Sequence, residues 1–338
     1  MNLIGEHTDY NGGFVLPIAI PQRTTVHVAP RADRLARVWS AYAAADGIVT
    51  YTVGGERRRG GWLDYVQGVT HALAAGGRAV RGFEARIEST VPAGSGLSSS
   101  AALEIALLRA FDGAFGLGLD AVAMARAAQR AENDFVGAPV GIMDQMACAL
   151  ADEAHALFLD TRTLAWERVA LPPPVEVAVI DSGVTHHHAS GGYRRRRAEC
   201  EEAAARLGVP ALRDIGPDDL PRVRTLPPPL DRRARHVVTE NARVLEAVAA
   251  LRAGDAACLG ALLAASHASM RDDFEVSLEE IDLIVELADR EQDVYGARLT
   301  GGGFGGAVVM LARRGAGAAC VERVRRAYET ARRGRHAS

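Results

Sequence analysis

A glycine- and serine-rich run at residues 91–102 leads without a break into an apolar-periodic stretch at 101–111, and that junction constrains the chain more than any other feature. Gly94, Ser95 and Gly96 are followed by Leu97 and by three serines, Ser98, Ser99 and Ser100. A turn of this kind at a helix start presents unbonded backbone N–H groups, and the helix dipole favours an anion there. Glycine lets a backbone approach a phosphate closely, and serine hydroxyls reach phosphate oxygens or a bound Mg2+. An ordinary serine-capped helix after a loop has the same composition, so phosphate binding is the preferred of two readings.

The 338 residues suffice for two domains or one large one. Thirty-nine basic against 42 acidic side chains give a net charge of −3, with both signs mixed along the chain, which argues against a nucleic-acid surface. All 39 basic residues are arginines. A Walker-type phosphate loop needs a lysine after its glycines and a pyridoxal enzyme needs one for its Schiff base, so both classes are excluded. Any phosphate cradle here must use backbone, hydroxyls, arginine or metal. Cys148, Cys200, Cys258 and Cys320 stand singly, without the spacing of a zinc site or a disulfide framework. No apolar run approaches bilayer length and the first residues do not read as a signal peptide, so a cytoplasmic protein without membrane partners is expected.

Strand patterns occur at 14–20, 24–29, 37–42, 49–53 and 83–89, and helical patterns at 62–75, 101–111, 119–135 and from about 141. Leu171 and the three prolines after it break the pattern. Beyond lie a strand at 175–182, helices at 194–207, 232–252, 255–274 and 277–290, and a closing strand, glycine loop, strand and helix over 296–332. Mixed elements in both halves predict an α+β protein of two lobes, 1–168 and 169–338.

Several segments can carry chemistry. Residues 301–306 hold five glycines around Phe304 and formally match GxGxxG. A strand rather than a helix follows, so a dinucleotide site is disfavoured, and a loop lying against a ligand or against the other glycine loop is preferred to a plain hairpin. Glu6, His7 and Asp9 place three ionisable side chains within four residues, a set suited to a polyhydroxylated ligand or to a solvated turn. Asp144 falls in the first turn of a helix beside apolar Ile142 and Met143, where a carboxylate can orient or deprotonate a hydroxyl. Glu132, twelve residues upstream, can reach the same cleft and hold Mg2+. The run His186, His187, His188 lacks partner ligands, and Arg194 to Arg197 with Glu199, Glu201 and Glu202 reads as a solvated helix face.

Together these segments resemble the GHMP family of small-molecule kinases. Residues 2–11 resemble the sugar signature of its galactose-phosphorylating branch, 91–102 its phosphate-binding second motif, and 299–306 its third motif. Residues 129–137, 141–145, Tyr193 with Arg196, Arg197 and Cys200, Ser266 with His267, and 271–277 are similar too, so the resemblance covers nearly the whole chain in order. It implies a two-lobed fold with the active site between an N-terminal and a C-terminal lobe. It also implies ATP and Mg2+ as cofactors, and transfer of the γ-phosphate to the anomeric hydroxyl of D-galactose to give galactose 1-phosphate.

Carried over by position, Glu6, His7, Asp9, Gly141 and Tyr193 contact the sugar, with Glu6 on the 6-hydroxyl, and Asp144 is the catalytic carboxylate. Trp62 lies at the adenine pocket, Gly94, Ser95, Gly96, Leu97, Ser98 and Ser99 wrap the phosphates, and Ser100 with Glu132 serves Mg2+. The family leans towards monomers. Its pattern continues upstream as Pro-Gly-Arg-Val, with Met1 here at the valine position, so a longer natural chain carrying that arginine is expected to be the more active form. Val140 stands where a cysteine is common, and Gly192 where an acidic residue is common. Other sugars (arabinose, galacturonate or an amino sugar) and a sugar- and ATP-binding form without turnover are the alternatives.

Overall fold

The computed structural model describes residues 1–78, 80–92, 96–185 and 189–336. Gly94, Ser95 and the three histidines 186–188, all singled out above, lie outside the described residues. The chain divides into two compact units: residues 1–18, 94–96 and 154–338 form the first, and residues 19–93 and 97–153 the second. This differs from a single division at residue 168.

The first unit opens with β1 (Phe14–Val15). The second unit contains β2 (Thr24–Pro30), β3 (Leu35–Ser40), β4 (Val49–Thr52), α1 (Leu63–Ala75), β5 (Phe83–Ser89), α2 (Ser99–Phe115), α3 (Ala121–Arg130) and α4 (Met143–Leu150). Its four-stranded sheet runs in the order β2-β5-β3-β4, with β3 and β5 parallel and the other pairs antiparallel. Strict alternation builds it: Phe83, Ala85 and Ile87 of β5 are buried while Glu84 and Arg86 face out. The buried face joins Val66 and Val69 of α1 and Ile105, Leu108 and Phe111 of α2 in one apolar core. Burying such side chains contributes about 1.5–3 kcal/mol each before entropy is counted.

The helical pattern at 119–135 is broken in a telling place. After α3 the backbone widens into a π-turn at Ala131–Val136, closed by Gly137 in the left-handed region at φ 77°. Such turns redirect side chains at functional sites, and here the turn carries buried Glu132. The turn presses onto α1 at Gly68, where a Cβ would fall 3.1 Å from the Ala131 carbonyl.

The first unit resumes with β6 (His155–Asp160), β7 (Trp166–Ala170), β8 (Val175–Thr185), α5 (Ala189–Arg206), α6 (Leu220–Val223), α7 (Leu230–Ala253), α8 (Ala256–Asp272), α9 (Glu279–Asp289), β9 (Val294–Thr300), β10 (Gly305–Arg313) and α10 (Gly317–His336). β1 pairs antiparallel with β6, placing Phe14 opposite Asp160, and Asn2 bridges to Pro17. That pairing makes the first 18 residues part of the C-terminal half. β8, β10 and β9 form an antiparallel sheet whose Val308 and Met310 meet Phe274, Ile281 and Val324 in a second core. No helix among the described residues is long and apolar enough to cross a membrane.

Candidate active site

The residues singled out in the sequence fall into two groups, one in each unit. In the first unit, the loop before β1 is knitted by its own side chains. Thr8 Oγ1 donates to the Gly5 and Phe14 carbonyls at 2.8 and 2.6 Å, and Asn11 Nδ2 donates to the His7 carbonyl at 2.8 Å. His7 itself sits at φ 62°, a left-handed conformation uncommon for a residue with a Cβ. Glu240 of α7 anchors the loop from beneath: its Oε1 accepts the Gly5 N–H at 3.0 Å, the Glu6 N–H at 3.3 Å and the Ser266 hydroxyl at 2.7 Å. Burial opposes charge on Glu240, but Arg243, His236 and Arg298 outweigh it and hold the carboxyl at about 2.

Glu6 is drawn inward rather than left in solvent, with 2 % of its surface exposed. Its Oε1 accepts from Arg298 Nη2 at 2.7 Å, from the Gly301 N–H at 2.8 Å and from Thr300 Oγ1 at 3.2 Å. Fully buried Arg298 also donates to the Leu3 carbonyl at 2.9 Å. The sugar-type signature and the third glycine motif are therefore bound into one body through a buried ion pair. The Gly301 backbone in turn lies against Gly96 of the same unit, since a Cβ at Gly301 would fall 3.2 Å from the Gly96 carbonyl. Residues 301–304 also connect antiparallel β9 to β10, so the loop is at once a hairpin and a neighbour of Gly96.

Around His7 the walls are aromatic. Its ring centroid lies 4.6 Å from Phe274 and 5.5 Å from Tyr193, and Tyr10 is 5.4 Å from Tyr193. Burial, followed by the His236, Arg196 and Arg298 charges, lowers His7 to about 3, and burial lowers His236 to about 4. Asp9 is partly exposed at the start of the turn Asp9–Asn11. Gly192, where the resemblance expects an acidic residue, is packed against the Phe304 ring, and a Cβ there would fall 2.5 Å from it.

Both histidines are neutral in the native state well below the unfolded value of 6.5. As pH falls from 6.5 towards 4 these two histidines take up protons in the unfolded chain before the native one, and each contributes a loss of stability. The buried Glu132 and Glu104 carboxyls, raised in the native state, act in the opposite direction. The His236 contribution is therefore read as a difference: urea denaturation of the unaltered chain and of His236→Asn is expected to give stabilities whose difference changes by about 1.4 kcal/mol per pH unit across this window. A difference independent of pH would mean that His236 is protonated in the folded protein.

In the second unit, α2 begins at Ser99 with Ser98 as its N-cap in a left-handed conformation, φ 61°. The Ser98 side chain makes no capping bond, and no acidic residue occupies the first turn. The end of the helix is thus furnished for an anion. Ser100 is hydrogen-bonded to the Glu132 carboxyl, which burial raises to about 7 against that bond, with the Asp144 charge adding to the rise. Asp144 occupies the first turn of α4, partly exposed between buried Met143 and Gln145. Glu104, one turn after Ser100, is fully buried with neither carboxyl oxygen hydrogen-bonded, and burial next to Glu132 pushes it well above the ordinary range.

Among the described residues, no group of three or more His, Cys, Asp or Glu is arranged to hold a metal by itself. Mg2+ does not require one, because it takes one or two carboxylates together with waters and nucleotide phosphates. A buried carboxyl sharing a hydrogen bond with Ser100, and with no cationic partner among the described residues to hold it ionised, fits that role. Gly141 stands three residues before Asp144. Trp62 is at the start of α1, its Nε1 donating to Asp46 Oδ2 at 2.9 Å.

Sequence reading missed Arg298, Glu240 and His236 as parts of this framework, whereas Phe274 lies in the segment 271–277 that it singled out. One signal was available: Arg298 is the single charge in the β9–β10 hairpin segment between Ala297 and Ala312.

The chain matches three family models: the galactokinase galactose-binding signature over residues 1–30, the GHMP kinases N terminal domain over 64–152, and the GHMP kinases C terminal model over 247–330. It is 45 % identical to a galactokinase of Roseiflexus sp. (strain RS-1) over 320 residues, covering 93 % of this chain and 82 % of the relative. It is also 45 % identical to a galactokinase of Streptomyces coelicolor over 340 residues, covering 98 % and 86 %. Among solved structures, the Lactococcus lactis galactokinase complexed with galactose is similar at a TM-score of 0.94 and 33 % identity, covering 98 % of this chain and 88 % of that one. The L. major mevalonate kinase in complex with R-mevalonate shares the fold at a TM-score of 0.66 and 19 % identity, over 96 % of this chain and 89 % of that one.

Proposed function

This chain belongs to the galactokinases of the GHMP kinase family, and on that premise we propose that it transfers the γ-phosphoryl group of ATP to the anomeric hydroxyl of D-galactose. The observation that carries the proposal is the grouping at the start of α2: an uncapped helix end, the Ser100–Glu132 pair and the Asp144 charge act on one another within one unit. Phosphoryl transfer is chiefly positioning and charge stabilisation, and these are the parts that supply both.

In this reading Glu6, His7, Asp9, Gly141 and Tyr193 hold the sugar. The carboxylates accept hydrogen bonds from its hydroxyls, and the aromatic walls bury its apolar face. Asp144 receives or orients the proton of the attacking hydroxyl. The backbone of residues 94–99 takes the phosphates and Trp62 borders the adenine. Ser100 and Glu132 hold Mg2+, which when bound neutralises charge on the β- and γ-phosphates. ATP as donor accords with a cytoplasmic enzyme.

The test is ADP release with D-galactose, with L-arabinose, D-galacturonate and D-galactosamine as comparison sugars. Turnover with galactose in preference to the others is expected. Preference for a different sugar would replace the substrate, and binding of galactose without ADP release would remove the activity.

A further inference from the structure

His7 has a polar atom that the fold leaves unanswered. The residue is 4 % exposed, its Nδ1 lies 2.9 Å from the Tyr10 hydroxyl, and its Nε2 has no hydrogen-bond partner among the described residues. Buried polar atoms are nearly always paired, so an orphan of this kind points to a ligand that pairs it. What the ligand must offer depends on where the ring proton sits.

Two protons are shared among the groups at this point, one on the phenol and one on the neutral imidazole. Burial keeps the Tyr10 phenol protonated and the His7 ring uncharged. If Nδ1 carried the ring proton and donated it to Tyr10, the phenolic O–H would be left to the Cys200 sulfur, its other hydrogen-bonded neighbour. A thiol sulfur is a weak acceptor. If the phenol donates to Nδ1, that proton finds a strong acceptor, and the ring proton moves to Nε2.

We propose that Tyr10 is a positioning residue that fixes His7 as the Nε2–H tautomer, so that His7 offers the sugar a hydrogen-bond donor and pairs with a lone pair of a pyranose hydroxyl or ring oxygen. This rests on the galactose-binding reading of the loop. It divides the recognition chemistry: Glu6 and Asp9 accept from sugar hydroxyls, and His7 is the neutral donor among them. Phe274 and Tyr193 hold the ring plane while Tyr10 sets its proton.

Nitrogen-15 NMR of protein labelled at histidine reads the tautomer without sugar, the His7 signals being assigned by their loss in His7→Gln. In the unaltered chain, Nε2 is expected to show the shift of a protonated nitrogen and Nδ1 that of an unprotonated one. Tyr10→Phe keeps the ring and removes the hydroxyl. It is expected to convert His7 to a mixture of tautomers and to raise the KM for galactose about tenfold, with kcat changing much less, as for loss of one hydrogen bond. A protonated Nδ1 in the unaltered chain would overturn the proposal, as would a Tyr10→Phe variant with unchanged tautomer and KM. Because the unaltered chain's spectrum needs no variant and no sugar, it decides the tautomer even if Tyr10→Phe fails to fold. Absence of galactose turnover in the unaltered chain would count against the functional reading alone.

Discussion

Asp144→Asn is expected to leave the fold intact and to lower kcat with D-galactose and ATP by about 10²–10⁴-fold, the range for loss of a positioned proton acceptor. The side chain is held by a short helix whose neighbouring Ile142, Met143, Gln145 and Met146 are buried, so the amide is presented at the same place as the carboxylate. An amide keeps the shape but cannot take the proton of the attacking hydroxyl. It also removes the charge that contributes to the raised Glu132 carboxyl, so that carboxyl should ionise more readily in the variant. Initial rates at saturating galactose and ATP check the result, with the KM for galactose expected to change little. A fall of less than about tenfold would assign Asp144 a positioning role in place of proton acceptance.

The second large effect is on stability. Arg298→Met is expected to cost about 3–5 kcal/mol, because it strands the Glu6 carboxylate in a site where neither residue reaches water. Glu6 would retain the Gly301 and Thr300 donors, and the Leu3 carbonyl would lose its partner. The double variant Glu6→Gln with Arg298→Met removes both charges and should be less destabilised than the sum of the single changes. Urea unfolding of the four proteins measures this directly. Full additivity would mean that the buried pair contributes nothing as a pair. The same substitution should raise the KM for galactose, since Glu6 is oriented by Arg298.

The α2 start, the first-turn placement of Asp144 and the compact Glu6–Asp9 turn were legible in the sequence because each rests on local chemistry. Glycine and serine before an apolar period, a carboxylate at a helix start, and polar residues before a strand need no tertiary information. The division of the chain was not legible, because β1 is only Phe14–Val15 and its partner β6 lies over a hundred residues away. The β6–β7 hairpin went unread for a related reason: β7 (Trp166–Ala170) is exposed at all but Val169, so it carries no alternating signal.

The π-turn at Ala131–Val136 was also hidden, since its residues continue a helical period and only packing on Gly68 reveals the widening. Arg298 and Glu240 were illegible as partners because their role lies in a network whose members are more than two hundred residues from Glu6 in sequence. The Gly192 position shows the limit of resemblance by another route. The space beside it is taken by the Phe304 ring, a neighbour that no local pattern announces.

Phosphorus-31 NMR of a reaction containing the protein, ATP, Mg2+ and D-galactose tests phosphoryl transfer to the sugar most directly, run in parallel on Asp144→Asn. The prediction is a sugar-phosphate resonance coupled to the anomeric proton, growing in step with ADP in the unaltered protein and nearly absent in the variant. ATP left intact, or inorganic phosphate appearing without a sugar phosphate while galactose is bound, would contradict it.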